Sequence, residues 1–267
     1  MAADLNRLRS VLADLENVVV AFSGGVDSGL LAWAAADALG PRRALAVTAV
    51  SASLAPEELA DCRRMADDWS MPWATVDTDE LAEPAYVANG ADRCYHCKSA
   101  LMDRLVPVAV ERGAVVVLGV NLDDLDDHRP GQRAARERGA RFPLVEAGFT
   151  KADVREEARR VGLDVWDKPA AACLSSRLPY GTPVTVGRLA RVAAAESGLR
   201  RLGYRAIRVR HYGDLARIEL DGDELGRAVS EREAVIAAVR AAGYRYVTLD
   251  LEGLRSGNLN ASLRSSS

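Results

Sequence analysis

Apolar and polar residues fall along this chain in short, well-separated blocks. Residues 18–22, Val-Val-Val-Ala-Phe, form an apolar run of strand length, and the pattern predicts a buried strand. Ser23-Gly24-Gly25 supplies a tight turn, and residues 26–39 carry the apolar spacing of a helix, stopped by Gly40-Pro41. The alternation continues. Residues 44–50 predict a strand, 56–69 a helix with Pro56 suited to its first position, 73–76 a strand, 97–112 a helix and 114–119 a fourth strand. Residues 1–15, amphipathic and charged, predict a first helix. Strands separated by helices predict an α/β fold with a doubly wound parallel sheet. Such sheets bind ligands at the carboxyl ends of their strands. Three polar clusters fall there: residues 23–28, Ser51-Ala52-Ser53, and Asn121-Leu122-Asp123-Asp124.

The second half is patterned differently. Thr150 to Asp153 predicts a capping box opening a helix to about residue 160, closed by Gly162. Residues 168–183 carry Pro169, Pro179, Gly181 and Pro183 and predict a loop. Beyond it the pattern predicts a helix (186–202), two strands (205–210 and 215–220), a helix (221–241) and a strand (245–250). These make a second, smaller α+β domain. The predicted division lies near Pro179, giving domains of residues 1–178 and 179–267. No internal repeat is present, and the polar tail, residues 256–267, predicts a frayed end.

Composition narrows the class. A chain of 267 residues with 49% hydrophobic and 27% charged content is that of a globular protein with a real core. A net charge of −3 argues against a protein built to grip nucleic acid. No apolar run long enough to span a membrane is present, and the N-terminal stretch lacks a signal peptide's apolar centre. Four cysteines, Cys62, Cys94, Cys97 and Cys173, are too few for a disulfide scaffold and suit a reducing cytoplasm.

Five stretches could carry chemistry. A strand running through Ser23-Gly24-Gly25 into a helix aims free backbone N–H groups at one point, with the helix dipole behind them. That is an anion site, to which Ser23 and Ser28 add hydroxyls. Asp27 has the wrong sign for a phosphate ligand but suits a Mg²⁺ that itself holds phosphates. Cys173 lies in a loop with Ser175, Ser176 and Arg177; it reads either as a nucleophile, since a nearby cation favours a thiolate, or as a small buried hydrophobe. Cys94-Tyr-His-Cys97 suits Zn²⁺, a redox pair or an ordered entry to a helix. Asp123, Asp124, Asp126 and Asp127 could bind Mg²⁺ or form a solvated turn. Arg208 and Arg210, two apart on a predicted strand, share a face that suits a phosphate or carboxylate, or simply faces solvent.

The stretch Ser23-Gly-Gly-Val-Asp-Ser28 resembles the SGGxDS pyrophosphate loop of the ATP pyrophosphatase superfamily, and no Gly-Lys-Ser/Thr of a Walker loop follows it. The resemblance implies an adenine nucleotide alpha hydrolase-like domain that binds ATP at Ser23, Gly24, Gly25, Asp27, Ser28 and Ser51 and cleaves it between the α and β phosphates. A narrower resemblance covers nearly the whole chain. Lys168 to Thr182 is similar to the ACLSSRxPYGT segment of the LarE family of sacrificial sulfur transferases, which make the nickel-pincer nucleotide cofactor. Arg93-Cys-Tyr-His-Cys-Lys98, Asn121 to Gly131, Ala194 to Tyr204 and Arg208 to Glu219 resemble further segments of it, although His211-Tyr-Gly-Asp214 departs from the usual His-Gly-Asp spacing.

That resemblance implies a sequence of steps. A carboxylate of a pyridinium biscarboxylate mononucleotide is adenylated, the Cys173 thiolate attacks the acyl adenylate, and the cysteine's own C–S bond then breaks. It further implies that Ser176, Arg177, Arg208 and Arg210 bind the substrate, that Glu196 and Glu219 bind a metal or orient the substrate, and that the protein is a homo-oligomer using ATP and Mg²⁺. Relatives with an iron–sulfur cluster have three clustered cysteines, whereas no second cysteine stands near Cys173. The competing expectations are a tRNA sulfurtransferase, an amide-forming synthetase, or a nucleotide-binding sensor without catalysis.

Overall fold

The computed structural model describes residues 4–125, 130–169 and 172–255. The chain divides into two compact units, one of Met1–Ser51, Pro56–Glu80 and Cys94–Ala171, the other of Ala52–Ala55, Leu81–Arg93 and Ala172–Ser267.

The first unit is built on a parallel sheet of β1 (Val18–Ala21), β2 (Ala44–Val50), β3 (Trp73–Asp77) and β4 (Val115–Leu118), in the order β3-β2-β1-β4. The register runs Val18 beside Ala44 and Val115. Strand side chains alternate between faces, and the core follows that alternation. Val18, Val20, Ala44, Ala46 and Val117 join one cluster with α1 (Leu5–Asp14), α2 (Val26–Leu39), α3 (Pro56–Asp68) and α8 (Lys151–Arg160). Val19, Val47, Val116 and Leu118 join another with α5 (Arg93–Glu111) and α6 (Pro130–Glu137). Both faces are therefore covered, which is why the strands read as unbroken apolar runs. At Thr150 the capping box is present: its hydroxyl accepts from the Asp153 amide, whose carboxylate accepts in turn from the Thr150 amide.

The second unit holds a sheet of β5 (Ile207–Tyr212), β6 (Leu215–Leu220) and β7 (Tyr246–Leu249), with β5–β6 antiparallel and β6–β7 parallel. Its core joins these strands to α9 (Val186–Arg201), α10 (Leu225–Ser230) and α11 (Arg232–Ala241). The unit also contains α4 (Pro84–Val87).

Several expectations need correcting. The helix expected from residue 97 starts at Arg93, because its polar first turn carries no apolar signal. The single helix expected over 221–241 is a 3₁₀ turn at Gly222–Glu224 followed by α10 and α11, broken where the Ser230 hydroxyl donates back to the carbonyls of Gly226 and Arg227. The loop expected over 168–183 contains a 3₁₀ turn, Leu174–Arg177. Short helices α4, α6 and α7 (Pro143–Glu146) had no expectation. The tail, residues 256–267, lies outside the described residues. Among the described residues no helix is long and apolar enough to cross a membrane.

Candidate active site: a phosphate loop and a cysteine turn

In the first unit, β1 ends at Ala21 and the chain turns through Ser23-Gly24-Gly25 into α2. Gly24 takes φ +69°, a left-handed conformation that glycine adopts without strain. A Cβ there would meet Cys62 Sγ at 2.8 Å and Met65 Cε at 3.1 Å, both from α3. Gly25 caps α2 without a side-chain bond, so the first amides of the helix are left for a ligand. The hydroxyls of Ser23 and Ser28 lie 3.1 Å apart, and Ser28 Oγ accepts from the Ser23 amide and donates to the Gly25 carbonyl. After β4 the backbone comes closer still: a Cβ on Gly119 would stand 2.6 Å from the Ser28 nitrogen. Only glycine fits there.

Asp27 is ion-paired to Lys151 Nζ and accepts from Asn121 Nδ2 at 2.9 Å. Asn121 is buried, and among the described residues its Oδ1 has no hydrogen-bond partner. A carboxylate beside an orphaned amide oxygen offers two donors of the kind Mg²⁺ takes, so these residues fit the ion. Lys151 now holds the carboxylate that the ion would need. Ser51 Oγ donates to the buried Glu80 at 2.6 Å, which also accepts from Thr78. Asp123 receives the Lys151 amide at 2.8 Å and Asp124 bonds the Asn121 amide; both therefore cap backbone. Asp126 and Asp127 lie outside the described residues.

In the second unit, Cys173 is exposed and opens the 3₁₀ turn. Arg177 is buried; its Nη1 donates to the carbonyls of Ala172 (2.7 Å) and Cys173 (3.3 Å) and to Ser176 Oγ, while Nε and Nη2 bind both oxygens of Glu196. Burial opposes the charge on Arg177, but Glu196 outweighs it and its pKa is raised. Arg210 repeats the arrangement: Nε and Nη2 bind Glu219, and Nη1 donates to the Ser176 carbonyl at 2.7 Å. Two buried ion pairs thus fasten the main chain of the cysteine turn. Arg208 is different. It donates to the Arg255 carbonyl at 3.2 Å, and among the described residues no carboxylate pairs with it. Its burial, with Arg177 and Arg210 nearby, lowers its pKa.

Three residues that sequence reasoning gave no role complete this turn. Tyr86 OH lies 2.5 Å from Ser175 Oγ, and Arg93 donates to the Ser175 carbonyl at 2.9 Å. Asn89, at φ +57°, donates to the carbonyls of Pro179 and Thr182 and accepts from Arg93. A polar residue held left-handed is the only local signal, and it is visible only in the backbone.

Cys62 is buried, and that burial pushes its thiol up to about 11 against a hydrogen bond with Thr48. Cys94 is exposed and Cys97 half-buried, and neither is in a disulfide. Among the described residues no group of three or more His, Cys, Asp or Glu side chains could hold a metal ion. Glu196 is paired with Arg177 and Arg200, and Glu219 with Arg210 and Arg217.

Parallel sheet, glycine turn and helix N-terminus are the parts of a PP-loop nucleotide site, and similarity to known proteins puts the chain in that class of ATP-using enzymes. A family model described as NAD synthase matches residues 6–94, the stretch holding the loop. The chain is 48% identical over 263 residues to an uncharacterized protein of Synechocystis sp., covering 97% of this chain and 98% of that one. It is 40% identical over 257 residues to the pyridinium-3,5-bisthiocarboxylic acid mononucleotide synthase of Lactiplantibacillus plantarum, covering 96% and 93%. An uncharacterized protein of Methanocaldococcus jannaschii is 28% identical over 242 residues, covering 90% and 92%. The chain belongs to the LarE family of ATP-dependent sulfurtransferases, that of the Lactiplantibacillus protein.

Proposed function

We propose that this protein converts a carboxylate of pyridinium-3,5-biscarboxylic acid mononucleotide to a thiocarboxylate, taking the sulfur from its own Cys173. The observation that carries the reading is the presentation of Cys173: its thiol is exposed while its carbonyl and its neighbours' are fastened by buried arginines. The name of the Lactiplantibacillus relative supports the substrate.

The loop residues Ser23, Gly24, Gly25 and Ser28 would hold the phosphates of ATP while a substrate carboxylate oxygen attacks the α-phosphorus and pyrophosphate leaves. Bound Mg²⁺ supplies charge neutralisation on those phosphates, with Asp27 and Asn121 Oδ1 as its protein donors. The Cys173 thiolate then attacks the activated carbonyl, and AMP leaves with the electron pair of its bond to carbon. A base removes the Cys173 α-proton, the Cβ–Sγ bond breaks, and the sulfur departs on the product as a thiocarboxylate. Dehydroalanine remains at position 173. Arg208 suits the substrate phosphate. The protein works in the cytoplasm as a homo-oligomer.

Intact-protein mass before and after incubation with ATP, Mg²⁺ and the mononucleotide tests this. The chain should lose the mass of H₂S, product should level off near one thiocarboxylate per chain, and Cys173→Ala should release pyrophosphate without transferring sulfur. Cys94→Ser and Cys97→Ser should each retain the single turnover. Many turnovers at unchanged mass would sink the sacrificial step.

A further inference from the structure

The phosphate loop carries one charged side chain, Asp27, and no basic one. Backbone amides neutralise a polyphosphate only in part. Beside the Mg²⁺ that Asp27 suits, a basic side chain has to come from elsewhere in the first unit, and two lysines stand beside the loop. Lys151 sits on the Asp27 carboxylate. Lys168 is placed otherwise: its Nζ lies 3.8 Å from the point a Cβ on Gly24 would occupy. It donates to Glu58 Oε2 and Asp61 Oδ2, both at 2.8 Å, and its side chain is only 18% exposed. An ammonium has three donors, so one remains for a ligand at the loop.

The surroundings fix that ammonium closely. Arg155 donates to the carbonyls of Trp166 at 2.6 Å and Lys168 at 3.1 Å, holding the main chain from behind. Glu58, Asp61, Cys62 and Met65 come from one face of α3. The helix face that abuts the loop glycine is therefore also the face that holds the lysine. Burial works against the charge on Lys168, but the hydrogen bonds to Asp61 and Glu58 outweigh it and raise its pKa, so the group is cationic at neutral pH.

We propose that Lys168 is the cation of the phosphate loop, binding the β and γ phosphates of ATP and the pyrophosphate that leaves. The proposal rests on residues 23–28 being the ATP site. Glu58 and Asp61 tether the ammonium, yet together they outweigh its single charge. Removing Lys168 should therefore weaken pyrophosphate binding, and neutralising Glu58 should strengthen it.

The test is calorimetric titration of the full chain with pyrophosphate in MgCl₂ and, separately, with AMP. Lys168→Met should bind pyrophosphate about tenfold or more weakly, as loss of a charge-assisted contact implies, and bind AMP as the wild type does. Glu58→Gln should bind pyrophosphate several-fold more tightly, roughly the effect of deleting one nearby like charge. Unchanged pyrophosphate affinity in Lys168→Met, equal loss of AMP and pyrophosphate, or weakening in both variants would overturn the assignment of Lys168. A wild-type protein that binds neither ATP nor pyrophosphate would overturn the loop's own assignment first.

Discussion

Arg208 and Arg210 point from the same strand yet differ in their partners. Arg210 is buried and bound through two nitrogens to Glu219, whose oxygen also accepts from Arg217 at 3.0 Å. Arg208 has no carboxylate among the described residues and keeps a net charge for an incoming anion. Arg208→Ala should weaken the mononucleotide by about 1.5–3 kcal/mol, tenfold or more, with little change in stability. Arg210→Ala leaves a buried carboxylate short of its partner and should destabilise the protein by about 3 kcal/mol or more. Substrate titration beside urea unfolding separates the two; similar loss of stability in both would remove the distinction. Spacing alone put both arginines on one face, but it could not choose between them. The choice is made by Glu219, which pairs in register with Arg208 but turns its oxygens to Arg210. Cross-strand register is invisible in a sequence read one residue at a time.

At the scale of elements, what was legible is what local patterning decides. The span of α2, the strand β2 and the cap at Thr150 follow from runs, glycines and hydroxyls within a few residues of one another. The phosphate loop was legible for the same reason, because its parts are consecutive. The hub at Tyr86, Asn89 and Arg93 was not, since its partners lie more than eighty residues further along the chain. One inter-element contact makes a sharp prediction. β4 delivers Gly119 against the first turn of α2, where an added methyl would meet backbone at Asp27 and Ser28 at 2.6 to 2.8 Å. Backbone cannot rotate away as a side chain can. Gly119→Ala should cost about 1–3 kcal/mol through overpacking and should weaken ATP by displacing the loop. Thermal unfolding and nucleotide titration of this variant check both effects; normal ATP affinity would show that the contact does not position the loop.

For the whole molecule, the two units carry different halves of the proposed chemistry: the phosphate loop belongs to the first and the cysteine turn to the second. Composition had argued only against a membrane span, a disulfide scaffold and a protein built to grip nucleic acid, and the division into units depends on contacts that no single segment reveals. The way Cys173 is held has a consequence for the fate of the protein. Arg177 grips the carbonyls of residues 172 and 173, Arg210 that of Ser176, and Arg93 that of Ser175. None of these bonds involves the sulfur. Under the proposed sacrificial step, a chain that has surrendered it should keep every one of them, and with them the shape of the turn. Used chains are then expected to compete with fresh ones for substrate. Mixing desulfurised protein with an equal amount of fresh protein at limiting mononucleotide should slow product formation, while the two show the same unfolding temperature; no slowing would mean that the used chain lets go of substrate. On the proposed single-use step, supply of the sulfurised nucleotide becomes a question of how fast intact chains are provided rather than of catalytic rate.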